Sequence, residues 1–188
     1  QKEGKVNLIG KKIMSAEING QIISEDTERE IITFEISQNA EISNLLKFNI
    51  NSITDVHSAV SNDGEIFLSG MVKGSTNIGS KRYNLENSYS PVIIQIKNDS
   101  IVSDTIYDFG NEIESVLCMD IDSEKKIYLC IGHEEDLTIN RTIYPASENN
   151  DKLILKIDSE STIEWVKTFH GARNEECNLL IDNKNNII

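Results

Sequence analysis

The chain repeats itself with a period of 60–61 residues, which commits it to stacked copies of one supersecondary unit. Val6-Asn7-Leu8-Ile9-Gly10, Ile66-Phe67-Leu68-Ser69-Gly70 and Ile127-Tyr128-Leu129-Cys130 begin 60 and then 61 residues apart. Ile31 to Ile36, Pro91 to Ile96 and Lys152 to Ile157 keep the same order, as do the aromatics Phe48, Phe109 and Phe169. A further set, Val56 to Val60, Leu117 to Ile121 and Cys177 to Ile181, precedes polar turns. Residues 1–188 read as a single β-repeat region with repeats at about 6–65, 66–126 and 127–186, so that strand order is permuted relative to the unit.

Each unit reads as four short strands. The first ends at Val60, Ile121 or Ile181 and runs into a polar turn: Ser61-Asn62-Asp63-Gly64-Glu65, Asp122 to Lys126, or Asp182 to Asn186. Asn, Asp and Gly supply the side-chain-capped and positive-φ conformations of a tight hairpin. The second strand follows, then a polar stretch of about twenty residues, the third strand, a turn such as Lys97-Asn98-Asp99-Ser100, and the fourth strand. Ile carries most of the apolar load, and β-branched side chains favour strands. No window sustains apolar spacing of three and four, so little helix is expected. The expected fold is all-β, a β-propeller-like array of three four-stranded antiparallel blades, standing alone or as part of a larger propeller. A β-solenoid is the runner-up, but its coils repeat at shorter periods with parallel strands, and the hairpin turns argue against it.

Asp151-Lys152-Leu153-Ile154-Leu155-Lys156-Ile157-Asp158, followed by Ile163-Glu164-Trp165-Val166-Lys167-Thr168-Phe169-His170-Gly171, resembles the bacterial SBBP-type β-propeller repeats. Those repeats carry an Asp-aromatic-x-x-Lys strand, an Asp-rich turn, a Trp-bearing strand and a closing Gly. Asn62-Asp63-Gly64 with Ile66 to Gly70 is similar to the family's Asp-x-x-Gly-Asn-Ile-Tyr-Val-x-Gly segment, and Ile18-Asn19, Ile78-Gly79 and Ile139-Asn140 to its anchor in the long loop. The likeness covers essentially the whole chain. It departs at the Trp, present only as Trp165 with Leu46 and Ile106 nearby in the other copies, and at Lys156, replaced by Gln95 and Glu35. The resemblance implies the propeller fold and an extracellular or cell-envelope bacterial setting, and it implies no shared active site.

Gly4-Lys5-Val6 matches Gly64-Glu65-Ile66, and Ile187-Ile188 enters the next second strand, so both ends fall at the same turn of the unit. Closed propellers have four to eight blades. Three arrangements therefore stand open: a slice of a longer propeller, self-assembly of two chains into six blades, or an open array covered by a partner.

A formal charge of −13 with a pI near 4.6 sets this chain against a phosphate backbone, so nucleic-acid binding is not expected. No apolar run approaches the ~20 residues of a membrane-spanning helix. Gly-x-Ser-x-Gly, a phosphate-cradling Gly loop with Lys, and His-Glu-x-x-His are absent from the sequence. Asp104, Asp108, Glu112 and Glu114 offer only carboxylate composition for acid–base work. The expected function is that of a non-catalytic interaction or structural module with a protein or glycan partner and no cofactor. A lectin-like propeller is the alternative, and a hydrolase is a weaker third.

The long loops differ most between copies, and loops on a rigid scaffold are where binding residues gather. Tyr83 and Tyr144 stand at matched positions 61 apart, Ile22 filling the place in the first copy. They are the candidate ligand-binding residues, through stacking on sugar rings, against the plainer role of capping a blade edge. Neither acidic stretch, Glu25-Asp26-Thr27-Glu28-Arg29-Glu30 or Glu134-Glu135-Asp136, has calcium-loop spacing, and hairpin chemistry already accounts for the Asn/Asp turns. His57, Cys118 and Asn178 occupy equivalent strand positions but are expected to lie too far apart for a metal, and no metal ligand is assigned. Pairing Ile121 with Ile127 across the turn places Cys118 opposite Cys130, and free thiols are expected because facing strand residues make a tight disulfide.

Overall fold

The computed structural model describes residues 6–12, 16–18, 21–24, 30–36, 39, 42–48, 50, 53–85, 89–110, 113–146, 151–169, 177–182 and 184–188. Their regular structure is entirely antiparallel β, and none of it is a helix long and apolar enough to cross a membrane. The chain divides into two compact units, one of Gln1–Ile53 with Ser75–Leu85, the other of Thr54–Gly74 with Glu86–Ile188.

The first unit holds a three-stranded sheet in the order β1 (Val6–Lys12), β4 (Glu30–Ile36), β5 (Ile42–Phe48). Two short hairpins accompany it, β2 (Ala16–Ile18) with β3 (Gln21–Ser24) and β8 (Ser75–Ile78) with β9 (Lys81–Asn84). Ile31, Phe48, Ile50, Ile53 and Ile78 are buried, and Ile50 bridges to Ile78.

The second unit contains two four-stranded meanders. One runs β6 (Thr54–Val60), β7 (Ile66–Val72), β10 (Ser90–Lys97), β11 (Ser100–Ile106). The other runs β12 (Ser115–Ile121), β13 (Ile127–His133), β16 (Asp151–Ile157), β17 (Ile163–Phe169). Both follow the strand order that the repeat predicts, whereas the sheet of the first unit has three strands among the described residues where four were expected. The long polar stretches are not bare loops: β14 (Leu137–Ile139) and β15 (Thr142–Tyr144) form a hairpin where β8 and β9 do so one repeat earlier.

Strand alternation decides which faces meet. Ala59, Phe67, Met71 and Ile93 share one face of the first meander, and they pack with Met119, Ile121, Leu129, Ile131, Leu153 and Leu155 of the second. Leu137 and Ile139 plug the β14–β15 hairpin into the same core. Burial of this kind is the main favourable term in folding, roughly 1.5–3 kcal/mol for each fully covered Leu, Ile, Met or Phe. Polar groups then tie repeat to repeat, at separations of 54–62 residues. The imidazole Nε2 of His57 contacts the Val116 carbonyl (3.0 Å) and Thr105 donates to Ser161 (3.0 Å). Backbone N–H of Ile181 donates to Asp120 (2.7 Å), and Ser123 donates to Asn185 (3.0 Å). Tyr107 donates its hydroxyl to the Ser161 carbonyl at 3.2 Å, and burial pushes its pKa up to about 12.

Four turns share one construction. In 61–65, 122–126, 158–162 and 182–186 the fourth residue donates its N–H to the carbonyl of the first, and the first donates to the carbonyl of the fifth. The fourth residue has positive φ in every case: Gly64 (87°), Lys125 (62°), Ser161 (66°) and Asn185 (64°). This is a three-residue hairpin loop whose last position is left-handed, which Gly enters at no steric cost. The first side chain completes the turn. Oδ1 of Asp122, Asp158 and Asp182 each accepts from the backbone N–H groups two and four residues on, at 2.8–2.9 Å. Ser61 accepts from Glu65 N–H with its hydroxyl (2.9 Å). Asp122 is buried, and its second oxygen accepts from Tyr128 (3.2 Å).

Asp122→Ala therefore strands two amides and a phenol, and a loss of about 1–3 kcal/mol is expected in urea unfolding. Asp122→Ser should recover much of it, since Ser61 fills the equivalent place. Equal losses for Ala and Ser would refute the capping role.

Candidate functional site

The two tyrosines singled out by the repeat both lie at hairpin ends, Tyr83 on β9 and Tyr144 on β15. Tyr83 is half-buried and faces Thr76 across the hairpin. Tyr144 faces Leu137 and packs against the apolar core of the second unit. The β14–β15 turn has positive φ at both central residues, Asn140 (50°) and Arg141 (66°). That pair of angles belongs to the turn whose twist matches its flanking strands. With Leu137 and Ile139 buried, Thr138, Asn140, Arg141, Thr142 and Ile143 are left facing water, Ile143 with 64% exposure. The hairpin is thus anchored on one side and displays the other.

Residues 25–29 lie outside the described residues, as do Glu112 and the His170-Gly171 end of the repeat motif. Glu134, Glu135 and Asp136 are exposed, and Asp136 accepts from Ala146 N–H (2.9 Å). Of the other carboxylates considered for catalysis, Asp108 accepts from Gly110 N–H in a local turn (2.9 Å). Asp104 sits on β11 opposite Ile94, and Glu114 donates its backbone N–H to Gly132. The carboxylate oxygens of Asp182 are taken up by its own turn, and the Asn186 side chain and backbone hold its pKa low.

A charged interlock joins the turns of successive meanders. Lys125 reaches back 62 residues to Asp63 (2.7 Å) and meets Glu65 (2.9 Å). Glu65 is buried and also pairs with Lys97 and accepts from Gln95 (2.8 Å). The Lys125 ammonium, then the Ser61 hydroxyl, hold Asp63 down at about 2. Lys97 and then Lys125 lower Glu65. One repeat later Tyr128, Lys156 and Trp165 stand in register across three strands. The Lys156 ammonium lies 5.2 Å from the Tyr128 ring centre, and Trp165 meets that ring edge-on at 6.0 Å. The Lys and Trp of the repeat motif are thus joined through Tyr128.

The least anticipated grouping is sulfur. Cys118 stands directly opposite Cys130, as the strand register requires, and all three cysteines are free thiols. Cys177 joins them: its Sγ is 3.4 Å from that of Cys118, and the three sulfurs lie within 4.8 Å of one another. Cys130 is fully buried, Cys118 nearly so, and Cys177 is half-buried. Cys118 and then Cys130 hydrogen-bond to Cys177 and lower its pKa, and the Lys152 charge adds to the effect. Cys118 is pushed up to about 12, because Cys177 and burial outweigh the opposing influence of Cys130, and Cys130 is raised by Cys118, Cys177 and burial. These contacts favour the thiolate at Cys177 and disfavour it at Cys118 and Cys130.

The set compared in the sequence, His57, Cys118 and Asn178, is not brought together: His57 is spent on Val116, and Asn178 is exposed. The signal that finds Cys177 is the spacing of the contact between meanders. His57 reaches Val116, 59 residues on, and Cys118 reaches Cys177, also 59 on. Matching positions at 60–61 selects the neighbouring residue instead.

No family model and no curated protein matches this chain.

Asp63 and Glu65 titrate in the folded chain below their ordinary values of 3.8 and 4.5. Their stabilising contribution is whole above those values and is lost as pH falls through the folded-state values, about 2 for Asp63. Melting temperature followed by circular dichroism should decline over that acid range. Lys125→Met should flatten the decline and lower the melting point at neutral pH. Salt should weaken the exposed Asp63 arm more than the buried Glu65 arm.

Proposed function

We propose that the chain is a β-propeller-type array of four-stranded blades serving as a non-catalytic interaction or structural module, in an envelope-associated or secreted bacterial protein. The observation that carries this reading is the series of polar contacts, at separations of 54–62 residues, that joins the first meander to the second and the second to the segment following it. Within the second unit such contacts stack one repeat on the next, as a repeat scaffold requires. A catalytic site is expected to hold perturbed carboxylates in a cleft. Among the described residues the carboxylates with lowered pKa, Asp63, Glu65 and Asp182, are engaged in turns and in the interlock between them. The setting in the cell rests on the likeness to SBBP-type repeats.

Recognition is assigned to the outward faces of the short hairpins, of which β14–β15 is the best defined. Its exposed residues vary freely from the anchoring ones because alternate positions of a strand point to opposite sides. The lectin-like alternative needs the ring faces of Tyr83 and Tyr144, and Tyr144 already packs on the core.

A glycan array read with the native chain, Tyr83→Ala and Tyr144→Ala separates the two. On the interaction-module reading no glycan signal depends on both tyrosines, and Tyr144→Ala instead lowers stability by about 1–2 kcal/mol, less than full burial of an aromatic would cost. Glycan binding abolished by both substitutions at unchanged stability would establish the lectin. A solved structure in which the sheets do not radiate about a common axis would sink the propeller.

A further inference from the structure

We propose that Cys118, Cys130 and Cys177 bind one zinc(II) ion, with three thiolate ligands and water in the fourth position. Zinc–thiolate bonds of about 2.3 Å in a tetrahedral site put neighbouring sulfurs about 3.8 Å apart. The three sulfurs, one pair at 3.4 Å and all within 4.8 Å, bracket that separation. Small side-chain rotations bring them to it.

The placement of the ligands comes from the backbone. Cys118 and Cys130 are fixed as facing residues of β12 and β13. Cys177 arrives from the start of the following repeat, through the same contact that in the preceding repeat joins His57 to Val116. At the preceding position Ser69 stands opposite His57 as Cys130 stands opposite Cys118. The fold therefore makes this contact without thiols, and three sulfurs at this one place exceed what packing needs.

Charge and access fit the same ion. Three thiolates around zinc carry a net charge of −1, which is costly in a buried setting unless compensated. Lys152 lies opposite Gly132, on the face of the sheet that carries Cys130 two residues away, and is buried. Its positive charge acts on Cys177 in the sense that favours the thiolate. Cys130 and Cys118 are buried, while half-buried Cys177 gives the group its exposure to solvent. Soft thiolates select zinc over the hard cations. Bound there, the ion would tie the Cys177–Ile181 segment to the β12–β13 pair, acting as a metal staple between repeats.

Cobalt(II) is the probe. The reduced, metal-free chain should develop intense sulfur-to-cobalt charge-transfer absorption and tetrahedral d–d bands that saturate at one equivalent. One equivalent of zinc should bleach them and raise the melting temperature. Cys177→Ser, at a half-exposed position, should keep the fold and weaken cobalt binding more than tenfold, and Cys130→Ser should do the same if it folds. Asn178→Ala should leave the spectrum unchanged. A folded, reduced native chain without the charge-transfer band overturns the proposal, whatever the variants do. So does a band that persists undiminished in Cys177→Ser.

Discussion

Burial of one sheet face against the next is the interaction on which the rest of the second unit depends. Phe67, Met71 and Ile93 on one meander cover Leu129, Ile131 and Leu155 on the other, and all are buried. Because strand side chains alternate, that packing settles at once which residues face the core and which face the following repeat. Tyr128, Cys130 and Lys152 take the second role on the sheet whose Leu129 and Ile131 take the first. The turns can then align, so that Lys125 meets Asp63 and Ser123 meets Asn185. Apolar contact drives the sheets together, and the polar ladder specifies how they lie.

The turns show how one geometry is met with different residues. Position one is Ser61, Asp122, Asp158 or Asp182, each offering an acceptor oxygen to amides that the hairpin leaves without a strand partner. Position four is Gly64, Lys125, Ser161 or Asn185, and only the first suits a left-handed φ without cost. Lys125 has a compensating role, since its side chain links two turns and two carboxylates. The acidity of the chain is thus partly put to structural use.

Much of the scaffold was legible in the residues. The strands of both meanders, their antiparallel order and the pairing of Cys118 with Cys130 follow from apolar alternation and from turn residues, which act over a few positions. The short hairpins were not foreseen. Leu137 and Ile139 stand with Ile143 and Tyr144 in an otherwise polar stretch, and the burial of the first two depends on a core supplied by distant strands. The ring of Tyr144 is likewise placed by that core, whereas the sequence left it open between stacking on a ligand and packing.

The cysteines mark the same division. By itself the sequence determined that two thiols face each other across a hairpin, because strand pairing and turn length are local properties. Only the tertiary structure decided that Cys177 completes the group. Irregularities of register fall beside the two residues that make the contact, between Thr54 and His57 in β6 and between Val116 and Cys118 in β12. The contact itself joins residues 59 apart in both repeats, His57 with Val116 and Cys118 with Cys177. The period identifies equivalent positions, whereas the residues that touch across a sheet interface are set by how the packed sheets lie, which only the assembled core decides.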